Sequence, residues 1–233
     1  GGNVTANITL RMGNPTVLQN KGMVASFTAA MLKRGTRNKT FQQINDEIDR
    51  LKSNVNIFGS GQTVGVSVTT TKENLNGILN LVGEMIKQPA FAQSEFEKLR
   101  EERLADLDQQ RSEPQAIASR LFNKTLNPYA KDDFRYVMSF DEEAIALKKI
   151  ALDEVKNFYD RFYTTSNATA AIVGDFDEPA LIITLNNLLD KWGAPVLYDR
   201  AKEPYFDVPA ANEKIQTPDK ANAMMLAGMN LEI

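Results

Sequence analysis

Histidine and cysteine are both absent from the chain. Neutral imidazole is the commonest protein ligand for zinc and the usual general base near neutral pH. A Ser-His-Asp triad, a Cys-His pair and any His-containing zinc site are therefore excluded, and thiolate chemistry goes with them. Chemistry by Asp, Glu, Lys, Ser or Tyr stays open. Without cysteine no disulfide forms, which suits a reducing compartment but equally permits an oxidising one such as a bacterial periplasm. No apolar run approaches the roughly 20 residues that span a bilayer, and Gly1-Gly2-Asn3 has neither a basic nor an apolar leader region. A dominant charge is lacking too. The formal net charge is -3, so no basic face or acidic tail marks nucleic acid or a membrane as a partner.

What is present suffices for a core: 42% of the 233 residues are hydrophobic, enough for one large domain or two small ones. Thr5 to Met12 alternates Ile8 and Leu10 with polar residues, the period of a half-buried strand, and Gly13-Asn14-Pro15 ends it. From Gly22 to Arg34, Met23, Val24, Phe27, Met31 and Leu32 recur at helical spacing, with Gly35 placed as a left-handed C-cap. Thr40-Phe41-Gln42-Gln43 has the form of a capping box opening a helix whose stripe is Phe41, Ile44, Ile48 and Leu51. Val55 to Phe58 and Gln62 to Thr69 read as a hairpin around Gly59-Ser60-Gly61, with one face buried.

Leu75, Ile78, Leu79, Val82, Met85 and Ile86 line the next helix, which Pro89 closes. Ser94-Glu95-Phe96-Glu97 predicts a second capping box and a helix to about Gln110. Helices are expected over Gln115 to Leu126, Asp141 to Lys149, and from Asp153, with Ala168 to Val173 as a buried strand. Pro179 leads a last helix in which Leu181, Ile182, Leu185, Leu188, Leu189 and Trp192 pack inward before Gly193 stops it. Ala194 to Ala211, with Pro195, Pro204 and Pro209, has the composition of an extended connector, and Ala223 to Ala227 reads as a strand. Hairpins mixed with long helices argue for an α+β fold, a largely antiparallel sheet backed by helices.

Three stretches, in order, resemble the pitrilysin/insulinase zinc peptidases: Gly22-Met23-Val24-Ala25-Ser26-Phe27-Thr28-Ala29-Ala30-Met31-Leu32-Lys33-Arg34-Gly35-Thr36, then Leu126-Asn127-Pro128-Tyr129, then Asp153 to Asp175. The last contains Phe158-Tyr159, Phe162-Tyr163, Ser166-Asn167-Ala168 and Val173-Gly174-Asp175. In active members the first helix carries H-x-x-E-H, two histidines one turn apart on one face binding zinc and a glutamate activating water. Here the matching positions read Ser26, Phe27, Thr28, Ala29 and Ala30, so both ligands and the base are missing. The family's third ligand is a glutamate further along, and the nearest match is Asp106, in the segment bearing Glu101 and Glu102. A lone carboxylate makes no zinc site.

The resemblance implies the degenerate, non-catalytic half of a bacterial-type metallopeptidase. Residues 1–193 form the half-domain, 194–212 a connector, and 213–233 the start of a truncated second repeat. It implies no catalytic residue and no metal in this segment. Zinc is expected in an active partner half, in the same chain or a second subunit, the two closing like a clamshell around a peptide. No nucleic acid and no membrane insertion are expected, and the resemblance points to the periplasm or cell envelope. The residues with which degenerate halves of the family hold substrate lie in the second repeat, so no substrate-binding residue carries over. The alternative is a structural or assembly subunit of the same fold with no role in proteolysis. An enzyme using only carboxylates or a Ser-Lys pair rests on residue availability alone.

Plainer readings stand beside the sharper ones. Glu95, Glu97, Glu101, Glu102, Asp106 and Asp108 read as the solvated face of a helix before they read as a cluster for a metal or a basic peptide. Arg34, Arg37 and Lys39 sit where a helix C-terminus favours cations. Phe58 and Phe91 are expected in the core. Gly59, Gly61 and Gly65 belong to a turn and not a phosphate loop, since no Gly-Lys-Ser/Thr follows.

Overall fold

The computed structural model describes residues 2–190, 192–193, 197–217 and 224–232. The alternating N-terminal stretch forms β1 (Asn3–Arg11), and its period puts Val4, Ala6, Ile8 and Leu10 on one face, fully buried. β1 is central. It pairs antiparallel with β3 (Thr63–Thr71) on one side and β4 (Thr169–Gly174) on the other, and β2 (Asn54–Ser60) forms the hairpin with β3, giving the order β2-β3-β1-β4. Ile8 stands opposite Val66 and Ala170, so a single apolar face runs across the sheet.

Helices cover that face alone. α1 (Gly22–Met31) lies against β2 and packs beside α7 (Leu152–Phe162), α4 (Gln93–Gln110) and α6 (Phe140–Lys149). α2 (Phe41–Arg50) also meets β2, and α3 (Leu75–Lys87) carries α8 (Glu178–Leu189) on its flank. α5 (Pro114–Leu126) buries no residue fully, and its Arg120 reaches Met138 O and Glu143. One apolar cluster joins the layers, with Phe27 at its centre against the Phe96 ring at 5.1 Å. Truncating such a side chain to alanine costs about 3–5 kcal/mol. No helix among the described residues is long and apolar enough to cross a membrane.

Several boundaries differ from the sequence-based expectation, each for a local reason. α1 ends at Met31, not Arg34: Leu32 N–H bonds to Ala29 O and Arg34 N–H to Met31 O, so the last turns tighten before Gly35, whose φ is +131°. Thr40 makes its capping box with Gln43 as expected. Ser94 caps nothing. α4 begins two residues earlier from the extended Ala92, because Phe91 is buried with its ring 5.1 Å from that of Tyr159 and fixes the entry of the chain. A capping box not foreseen, Ser139 with Glu142, opens α6.

β4 is not a buried strand: it is an edge with only β1 beside it among the described residues, and Val173 is 73% exposed. Phe91 is in the core, but Phe58 is 57% exposed on the far face of the sheet. In α8, Leu181 and Leu188 pack inward while Ile182 turns outward. Residues 194–196 of the expected connector lie outside the described residues, and residues 197–217 run without helix or strand. Buried Gln62 anchors them: it donates to Asp199 O at 2.7 Å and Gly13 O at 3.3 Å and accepts from Ala201 N–H at 2.7 Å. No strand forms over 224–232 among the described residues, and Ala223 lies outside them.

Candidate functional site

The stretch that resembles the family's zinc motif, Ser26 to Ala30, lies along α1, in contact with both the sheet and α4. Ala29, at the position of the base, is fully buried toward β2. A Cβ placed on Gly59 would come 2.5 Å from the Ala29 Cβ, so the two backbones approach closely and neither position has spare room. Ser26 and Ala30 are half-buried. The hydroxyls turn back on the helix: Ser26 Oγ donates to Met23 O at 3.1 Å and Thr28 Oγ1 to Val24 O at 2.7 Å.

The group that meets Ser26 is Arg103 of α4. Its Nη1 donates to Ser26 Oγ at 3.3 Å and its Nη2 to Ser26 O at 3.2 Å, while the guanidinium stacks 5.1 Å from the centre of the Phe27 ring. Burial pulls Arg103 below its ordinary value, Glu143 opposing and Arg34 adding to the shift, yet a guanidinium keeps its proton in proteins. Asp106, one turn further on, is exposed. Serine, two alanines and a fixed cation do not fit zinc: the donors are wrong, and the guanidinium charge would repel a second cation. Among the described residues no three acidic side chains converge as metal ligands.

Most acids of α4 are drawn into ion pairs, and Arg34 bridges two of them. Glu95 meets Lys98 at 2.9 Å and Arg34 at 3.7 Å, Glu97 meets Arg100, Glu102 meets Arg34, and Asp108 lies 4.0 Å from Arg111. Glu101 remains exposed. The small basic patch dissolves likewise, with Lys39 bound to Glu84 at 2.7 Å and Arg37 in solvent.

Beside Ser26 opens a cleft of about 810 Å³, bounded by the start of α1, α5, α6 and residues 131–138. Met23, Phe134 and Met138 give it an apolar lining. Most of its charges are paired: Arg120 with Glu143 at 2.6 Å, Lys131 with Glu142 at 2.8 Å and Asp133 with Arg135 at 2.7 Å, while Lys149 at the rim is exposed. Lys131, then the Ser139 backbone N–H, then the Tyr136 hydroxyl hold the Glu142 carboxyl down at about 2. A carboxylate so stabilised is a poor general base near neutral pH. The cleft can receive a ligand, but the motif beside it offers neither metal nor base.

Sequence reasoning missed Arg103, Arg120, Tyr136 and Glu142. One signal was legible: Arg103 falls in the stripe Phe96, Leu99, Arg103, Leu107, a basic residue on the apolar face of its helix.

Two family models match in succession, one described as insulinase (peptidase family M16) over residues 18–131 and one as peptidase M16 inactive domain over residues 149–227. The non-peptidase homolog YmxG of Helicobacter pylori is 22% identical over 228 residues, covering 97% of this chain and 51% of its own length. This chain thus spans about half of that relative. The peptidase M16 inactive domain from Pseudomonas fluorescens superposes with a TM-score of 0.68 at 20% identity, covering 87% of this chain and 49% of that one. The periplasmic protease PqqL from Escherichia coli gives a TM-score of 0.68 at 18% identity, over 88% of this chain and 23% of that one.

Proposed function

The chain belongs to the M16, insulinase-type, peptidase family, and from that premise we propose that it is a non-catalytic domain that walls a peptide-enclosing chamber together with an active half. That half would lie in the same polypeptide or in a second subunit, and would carry the zinc. The observation that carries this reading is Arg103 seated against Ser26, with the neighbouring cleft kept open. The scaffold and its recess persist where the metal chemistry is lost. The match to an M16 inactive domain supports it, and the likeness to a protease described as periplasmic supports placement in the cell envelope.

A purely structural role has one specific observation in its favour, the relative named a non-peptidase homolog that covers nearly this whole chain. The full-length protein, with any co-purifying partner, separates the two. Hydrolysis of a fluorogenic peptide library that is lost when an H-x-x-E-H outside residues 1–233 is altered supports the chamber. Absence of both hydrolysis and peptide binding supports the scaffold.

A further inference from the structure

The face of the sheet turned away from the helices is almost free of charge. Side chains on it form rows across all four strands, such as Asn56, Ser67, Asn7 and Ala171, and next to it Phe58, Gly65, Thr9 and Thr169. Among the described strand residues, Arg11 is the one ionisable side chain on this face, and it is tied down at one end, donating to Thr169 Oγ1 at 3.2 Å and Asn167 O at 3.5 Å. The chain as a whole is 24% charged, and soluble surfaces carry about 25–35% charged residues, so an ordinary solvated sheet of this size would show several. The edge strands β2 and β4 also lack the lysines and prolines that usually guard exposed edges.

Phe58 supplies a second, independent feature. It stands opposite Gly65, and a Cβ at Gly65 would come 2.3 Å from Phe58 Cζ, so the glycine lets the ring lie flat on the neighbouring backbone. The ring is 57% exposed, offering its other side as an apolar platform amid amides and hydroxyls. Neutral donors and acceptors with one aromatic suit the backbone and uncharged side chains of an extended polypeptide. A Lys, Arg, Asp or Glu brought onto this face would lose water without gaining a counter-ion.

We propose that this open face is the surface that receives peptide, and that it selects extended segments lacking charged side chains, with Phe58 as the aromatic contact. The proposal rests on the chamber reading and names the substrate class and the wall that reads it. Because no charges steer the encounter, binding is insensitive to ionic strength.

The test uses the full-length protein and fluorescently labelled extended peptides, one rich in Ser, Thr, Asn and Leu and two matched versions bearing lysines or glutamates, at low and high salt. The neutral peptide is expected to bind with nearly the same Kd at both salts, and the charged versions about tenfold more weakly. Phe58→Ala should weaken the neutral peptide about fivefold or more. Asn7→Lys with Ser67→Lys, at exposed and half-exposed positions that leave the core intact, should shift preference to the glutamate peptide and make it salt-dependent. Peptide binding that ignores both the charge series and these substitutions overturns the proposal while leaving the chamber standing. Absence of any peptide binding overturns both.

Discussion

Arg103 and Ser26 are joined twice, through the hydroxyl at 3.3 Å and the backbone carbonyl at 3.2 Å. The contact bridges α4 and α1, the two helices on which the resemblance places the family's ligand positions. A fixed guanidinium supplies positive charge without an open coordination site, so the interface is locked and cannot act as a Lewis acid. Ala29 fills the approach to Gly59, and Phe27 stacks beneath the cation.

Rebuilding the motif is therefore predicted to fail on packing before it fails on chemistry. Ala29→Glu places a carboxylate at a fully buried site beside the β2 backbone. The expected loss is about 3 kcal/mol or more. Urea unfolding of the variant measures it.

Acid should reveal Glu142. Its carboxyl is held at about 2 in the fold against an ordinary 4.5, so its ionised form contributes fully above about 4.5 and that contribution fades as pH falls towards 2. Glu142→Gln is expected to flatten the dependence of the urea midpoint on pH in this window. Lys131→Met, removing the largest cause, should flatten it in part.

Two neighbouring tyrosines should respond in opposite ways. Tyr159 donates to Ile86 O at 2.7 Å in a buried setting, so Tyr159→Phe is expected to cost about 1 kcal/mol. The buried Tyr163 hydroxyl has no hydrogen-bond partner among the described residues, so Tyr163→Phe should be neutral or stabilising by about 1 kcal/mol. Thermal unfolding of both variants gives the comparison.

Helix caps make a fourth stability test. Thr40→Ala and Ser139→Ala each remove a side chain that accepts from the first turn and should cost about 1 kcal/mol. Ser94→Ala, inside the first turn of α4, should stay within about 0.5 kcal/mol.

These contrasts show what could be read from residue order alone. Strict alternation in β1 and β3 and the helical stripes of α3 and α7 announced the α+β fold, since local period and tertiary burial agree there. The missing imidazoles excluded a histidine zinc site at once. Ser94 misled because a buried aromatic, Phe91, sets the helix start against the local capping signal. β4 misled because Ala-Ala-Ile-Val is as apolar as a central strand although it lies at an edge. The cleft could not be foreseen, since residues 131–138 carry no period and meet the segment leading into α1 only through the folded chain, where Asn20 N–H bonds to Asp132 O at 2.7 Å.

The account turns on where metal can and cannot be held. Anomalous diffraction at the zinc edge, from crystals of the full-length protein, tests it most directly. The prediction is zinc bound only by ligands outside residues 1–233. A zinc peak coordinated by side chains of α1 or α4, near Ser26 and Ala30, would contradict it.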